Sequence, residues 1–260
     1  RMLESLREGS RRGGNIVAIS PLKERGVERF QDPQAAVEMM TNGSTPISRY
    51  YFQPNVGGDY ALMFGMLKHL REWDIQALAA EKKSVFDRSF IEMNTVGFDA
   101  MMEEIDRTAW TDLYSHTGLS PEHLESLSNM YLDAKTAIFC WGMGITQHRH
   151  GTANVHMLAN LMLARGHIGR PGAGLAPIRG HSNVQGDRTM GINERPSPKL
   201  LDSLDRVFGI KSPREHGFGV VDTIQAMYEG DVKVFIGLGG NFAVATPDTP
   251  YTQEGLRRCD

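Results

Sequence analysis

The sequence predicts an α/β protein: Rossmann-like, doubly wound, mostly parallel sheets forming part of a larger multidomain subunit. Three observations predict it. The short apolar runs NIVAIS (15–20), TAIFCW (136–141) and VKVFIG (232–237) read as buried strands. Each runs into a turn marked by glycine or proline. Segments of helical period lie between them, and strands alternating with helices build parallel sheets. Ligands of such sheets bind beyond the carboxyl ends of the strands, so these three turns form the candidate site edge.

The elements follow in order. Arg1 to Arg12 is polar with Leu3 and Leu6 at helical spacing, and Gly13-Gly14 ends it. After the first strand, ISRYYFQP (47–54) reads as extended. NVGGDYALMFGMLKHLREW (55–73) places Tyr60, Met63, Phe64, Leu67, Leu70 and Arg71 at helical spacing with one apolar face, and Asp59 stands where an N-cap would. Residues 75–132 read as mostly helical with polar faces. Ser120, Pro121 and Glu122 supply N-cap, first position and first-turn acid to a helix over 120–135. The helix 154–166 presents Val155, Leu158, Leu161, Met162 and Leu163, and Gly166 stops it. Residues 169–191 read as a long glycine-rich connection, and 197–209 and 220–230 as helices before the third strand.

Composition narrows the function. Net charge is −3, so no bulk field draws nucleic acid or an anionic membrane. No apolar run reaches the roughly 20 residues that span a bilayer; the expected location is the cytoplasm. The two cysteines, Cys140 and Cys259, exclude a disulfide scaffold and a cysteine-built cluster within this chain. The chain opens at Arg1 and stops at Asp260, which leads to the expectation of a piece of a longer protein.

Five stretches could carry chemistry. In CWGMGITQH (140–148), Gly142 and Gly144 let backbone N–H groups face an anion. Gln147 stands where a nicotinamide fingerprint has its third glycine, and tight strand–helix packing explains the glycines equally. In HRH (148–150), two histidines could bind metal or simply sit in a polar loop. In NVGGDYAL (55–62), Asp59 could receive a ligand hydroxyl or amino edge, or only cap a helix. LGGN (238–241) is a ligand turn or a plain one. PIRGHSNVQG (177–186) gathers Arg179, His181, Asn183 and Gln185, either as a solvated loop or as a site in which Arg179 clamps a carboxylate.

The words GMGITQH, GxxN, ARGHIGRPGAG and RGxxNVQG, all within 141–191, closely resemble the central region of the molybdopterin oxidoreductase superfamily. Within it, the stretch resembles formate dehydrogenase alpha subunits and their YdeP-like relatives. NIVAISP, GGDYAL and FIGLGGN extend the resemblance over most of the chain. It implies a bis(molybdopterin guanine dinucleotide) cofactor holding molybdenum or tungsten, and a four-iron four-sulfur cluster whose ligands lie outside this chain. It implies Gly142, Met143, Gly144 and Gln147 as cofactor contacts, and Gly57, Gly58 and Asp59 at a guanine end. Ser20, Gly239 and Asn241 match other strand-end contacts, and Asn183 and Gln185 a polar cofactor edge. Arg179 matches the arginine that orients formate. Formate dehydrogenases carry glutamine two residues later, where this chain has His181.

These correspondences place a cofactor-binding α/β segment with the GMGITQH turn at 1–181, and part of a second such domain at 182–260. The expected partners are a small anionic substrate and an electron-transfer subunit, with no nucleic acid and no membrane-spanning segment in this chain. Two other readings stand beside the redox enzyme. One is a module that binds cofactor or guanine nucleotide without turnover; the other is a nicotinamide enzyme, against which Gln147 argues.

Overall fold

A computed structural model describes residues 2–32, 34–178, 184–191, 193 and 195–259, without the side chains of Met2 and Gln185. The chain divides into two compact units, Arg1–Gly180 and His181–Asp260.

Unit 1 begins with α1 (Met2–Arg11), β1 (Val17–Ile19), α2 (Arg25–Glu28), β2 (Arg29–Phe30), α3 (Ala36–Thr41), β3 (Thr45–Pro46) and β4 (Tyr50–Phe52). A helical body follows: α4 (Asp59–Ala79), α5 (Arg88–Asn94), α6 (Phe98–Arg107), α7 (Trp110–Thr117) and α8 (Pro121–Asp133). It closes with β5 (Ile138–Trp141), α9 (Met143–Thr146), α10 (Gly151–Ala164) and β6 (Gly174–Pro177).

Helix α4 is the axis of this unit, packed by α6, α7, α8 and α10. Its sequence predicts one apolar face. Instead Leu62 to Leu70 are all buried, Lys68 and His69 included, as is Asp74. The charged residues Lys68 and Asp74 survive burial because each has partners. Lys68 Nζ donates to the Ile105 carbonyl at 2.8 Å. Asp74 accepts from the Ser84 hydroxyl at 2.5 Å and the Val85 N–H at 2.8 Å, and pairs with Arg88. His69 lies between the rings of Trp73 and Trp110. Tyr60, expected on the apolar face, is exposed.

Serine and proline start α8 as the sequence predicts: the Ser120 hydroxyl accepts from the His123 N–H at 3.3 Å. On α10 the buried stripe is Asn154, Met157, Leu158, Leu161 and Met162, while Val155 and Leu163 are only partly covered. Arg165 then ties three segments together, donating to the carbonyls of Val85 at 2.6 Å and Leu132 at 2.8 Å.

Among the described residues the strands form three two-stranded sheets. Strand β1 runs parallel to β4, with Val17 opposite Tyr50 and Ile19 opposite Phe52. Strand β5 runs parallel to β6, from Ile138 opposite Gly174 to Trp141 opposite Pro177. The β2–β3 pair is antiparallel. The fold is thus a mixture of helix and strand with two parallel pairs, rather than one visible doubly wound sheet.

Unit 2 contains α11 (Val184–Thr189), α12 (Pro198–Phe208), α13 (Val220–Glu229), α14 (Phe242–Ala245) and α15 (Thr249–Arg257). Its packing centres on α13 against α15. The sequence expectation of a strand at 232–237 is not met. These residues carry no strand pairing, and Val234, Ile236 and Leu238 are exposed. A strand exists through ladder hydrogen bonds to a neighbour, and an apolar run without one stays merely extended. The connection 169–191, read as irregular, holds β6 and α11.

Candidate functional site

The carboxyl ends of the two parallel pairs in unit 1 carry most of the expected residues. Ser20 follows β1 directly; its N–H donates to the Phe52 carbonyl at 3.1 Å and prolongs the ladder by one bond. From β4 the chain runs through Gln53 and Pro54 into the turn 55–58. The Asn55 N–H donates to Thr117 O at 2.8 Å, and the Gly58 N–H to Asn55 O at 2.9 Å, so the turn is clamped to the end of α7.

The glycine pair in this turn has a structural reason. Gly57 has φ +84°, which favours glycine. A Cβ on Gly58 would lie 2.7 Å from the His116 carbonyl oxygen. Gly58, not Asp59, is the cap residue of α4, and Asp59 is the first helical residue. That corrects the sequence assignment and leaves the Asp59 carboxylate without a capping task. The group is half-buried, and burial pushes its pKa up, partly offset by its own N–H and by any positive charge on the nearby His148.

The turn after β5 behaves differently. Neither Gly142 nor Gly144 has a positive φ, and a Cβ on Gly144 would meet nothing within 4 Å. A Cβ on Gly142 would come no nearer than 3.7 Å to Ile178 O, an ordinary contact. Tight packing therefore does not explain this pair. Met143 between them is 51% exposed, and Gln147 is exposed, with its N–H donating to Met143 O at 2.7 Å.

The sequence reading missed what joins these two edges. His148 Nε2 lies 3.7 Å from Asp59 Oδ2. Asn154, fully buried on α10, places its Nδ2 2.8 Å from His148 Nε2 and 2.9 Å from the Ile145 carbonyl. In the sequence His148 stands only as one histidine of HRH, a metal pair or a polar loop. Among the described residues no group of three His, Cys, Asp or Glu could hold a metal ion. The available signal was Asn154, an amide inside an otherwise apolar helical stripe.

In unit 2, Gly239 and Gly240 adopt φ +69° and +76°, so the LGGN turn needs glycine for its backbone. Asn241 caps the short α14 without a side-chain bond and is exposed. Arg179, His181 and Asn183 lie outside the described residues, as does the side chain of Gln185. No helix among the described residues is long and apolar enough to cross a membrane.

Comparison with known proteins settles the family. The family model described as molybdopterin oxidoreductase matches residues 76–260. This chain belongs to the molybdopterin oxidoreductase family. It is 45% identical over 260 residues to Protein YdeP of Escherichia coli K12, covering all of this chain and 34% of that protein. A putative formate dehydrogenase, YrhE of Bacillus subtilis, is 26% identical over 231 residues, covering 86% of this chain and 23% of that one. The chain thus spans about a third of the length of its YdeP relative. Among solved structures, acetylene hydratase from Pelobacter acetylenicus matches with a TM-score of 0.53 at 16% identity. That match covers all of this chain and 35% of the hydratase and bears on the fold alone.

Proposed function

We propose that this chain is the central part of a molybdenum or tungsten oxidoreductase whose bis(molybdopterin guanine dinucleotide) lies along the strand-end edge of unit 1. In this reading the two parallel pairs are pieces of a doubly wound sheet. The observation that carries it is the Gly142-Met143-Gly144 turn: two glycines with space where a side chain would stand, around an exposed methionine, at the end of a parallel strand. Glycine there is explained by close approach of something other than this chain.

The residues present fit such a group. Asp59 offers two carboxylate oxygens to the adjacent N–H donors of a guanine edge, at the start of a 21-residue helix. Gly57, Gly58 and Ser20 form the neighbouring backbone. Met143 and Gln147 cover the pterin; Asn183, Gln185, Gly239 and Asn241, in unit 2, are carried as cofactor contacts on the resemblance alone. When bound, the cofactor supplies the two-electron chemistry. The protein's part is to hold and orient. Arg179 clamps a small anion such as formate through charge-assisted hydrogen bonds, and His181 takes the adjoining hydrogen-bonding position. Electrons leave to a four-iron four-sulfur cluster held by other residues and then to an electron-transfer subunit, in the cytoplasm.

The test is anion-dependent reduction of an artificial electron acceptor by the full-length protein, with formate first among small carboxylates. Reduction that depends on formate supports the reading. Guanine nucleotide bound with no reduction by any anion would make the chain part of a cofactor-holding module instead.

A further inference from the structure

The amide of Asn154 decides the state of His148. Its Nδ2 sits 2.9 Å from the Ile145 carbonyl, which can only accept, so the nitrogen must face that way. Its second hydrogen then points to His148 Nε2 at 2.8 Å. Asn154 is fully buried, and its Oδ1 finds no hydrogen-bond partner among the described residues. A flip would set that oxygen against the Ile145 oxygen, so the orientation is locked. His148 Nε2 must therefore accept, and the ring is the neutral tautomer with its proton on Nδ1.

That tautomer leaves Asp59 a free acceptor. Its Oδ2 faces a nitrogen with no hydrogen at 3.7 Å, too far and with the wrong partner for a bond. A second proton on the ring would reverse this. Nε2 would become a donor, lose Asn154 and turn to the carboxylate. The charged or titratable groups near the ring are Asp59 from α4 and, on its own loop, Arg149 and His150, both exposed. Helix α9 has no charged residue, and α10 contributes the uncharged Asn154, with His156 exposed.

We infer that His148 is a positioning residue for this edge: held neutral by Asn154, it keeps Asp59 open to the N–H donors of a ligand, and when protonated it takes that carboxylate for itself. The inference rests on the guanine-end reading of Gly57–Asp59. It predicts competition between a proton on His148 and the ligand on Asp59.

The experiment uses the full-length protein as isolated. Release of the whole guanine-bearing cofactor, read as guanine retained on the protein after gel filtration, is followed at about pH 5.5 and 7.5, an interval across which ordinary histidines change charge. Wild type should release it roughly tenfold faster at the lower pH. His148→Gln, which cannot be protonated, should release at one rate at both. Equal rates for wild type, or an acid effect that survives in His148→Gln, overturns the inference. A second measurement needs no ligand: a double-mutant cycle of His148→Gln and Asp59→Asn on thermal unfolding. Coupling at pH 5.5 that vanishes at 7.5 supports the proton-dependent pair, and coupling at neither overturns it. Coupling in a protein that holds no guanine nucleotide overturns the guanine reading while supporting the pair.

Discussion

A Cβ on Gly151 would stand 2.1 Å from the carbonyl oxygen of Thr146, so the chain can pass from the GMGIT turn into α10 only on glycine. Seven residues earlier, Gly144 has open space. The same residue type is thus a packing requirement at one end of the turn and not at the other.

The two positions should respond oppositely. Gly151→Ala forces backbone to move and should cost about 2–3 kcal/mol or more, read as a lower urea midpoint. Gly144→Ala should leave the urea midpoint of the full-length protein within about 0.5 kcal/mol of wild type while metal and guanine content fall. A large loss of stability at Gly144 would return that glycine to a packing role.

Arg165 should behave as scaffold although it belongs to the ARGHIGRPGAG stretch that carries the family resemblance. It satisfies the carbonyls of Val85 and Leu132 from a half-buried position. Arg165→Met leaves both unpaired and should cost about 2–4 kcal/mol. Lysine, with one cationic centre, should not restore the two bonds. Equilibrium urea unfolding of the three proteins checks this.

His167 makes unit 1 acid-sensitive. It is 1% exposed, edge-on to the Tyr131 ring, and burial first, with Arg170 and Arg165 adding, pushes its pKa down to about 4. The unfolded chain therefore binds this proton more readily than the folded one. Stability is full above about pH 6.5 and is lost as pH falls toward about 4. The gap amounts to roughly 3 kcal/mol. Urea unfolding at about pH 7 and 4.5 should show a smaller acid loss in His167→Gln than in wild type.

Much of this was legible where the cause is local. Ser120-Pro121 and Ser197-Pro198 start helices because the cap bond spans three residues. The runs at 15–20 and 136–141 became parallel strands because each finds a neighbour. The run at 232–237 looks the same and pairs with nothing among the described residues; no local feature distinguishes it. Burial all around α4 was hidden because Lys68 and Asp74 look like surface residues until partners 37 and 10 positions away are in place. At the site, the glycines and Asp59 were readable by pattern. The His148–Asp59 proximity was not, since it spans α4 and the loop before α10.

Arg179 carries the substrate part of the proposal. In the full-length protein Arg179→Lys should reduce anion-dependent turnover by roughly tenfold or more, because a bidentate clamp becomes a point charge. Cofactor content should stay near wild type. Unchanged turnover would remove Arg179 from the substrate site.

The most direct measurement is elemental analysis of the purified full-length protein together with chromatography of its released nucleotides. The account predicts molybdenum or tungsten accompanied by about two guanine nucleotides per metal. Protein free of both metal and guanine would contradict it.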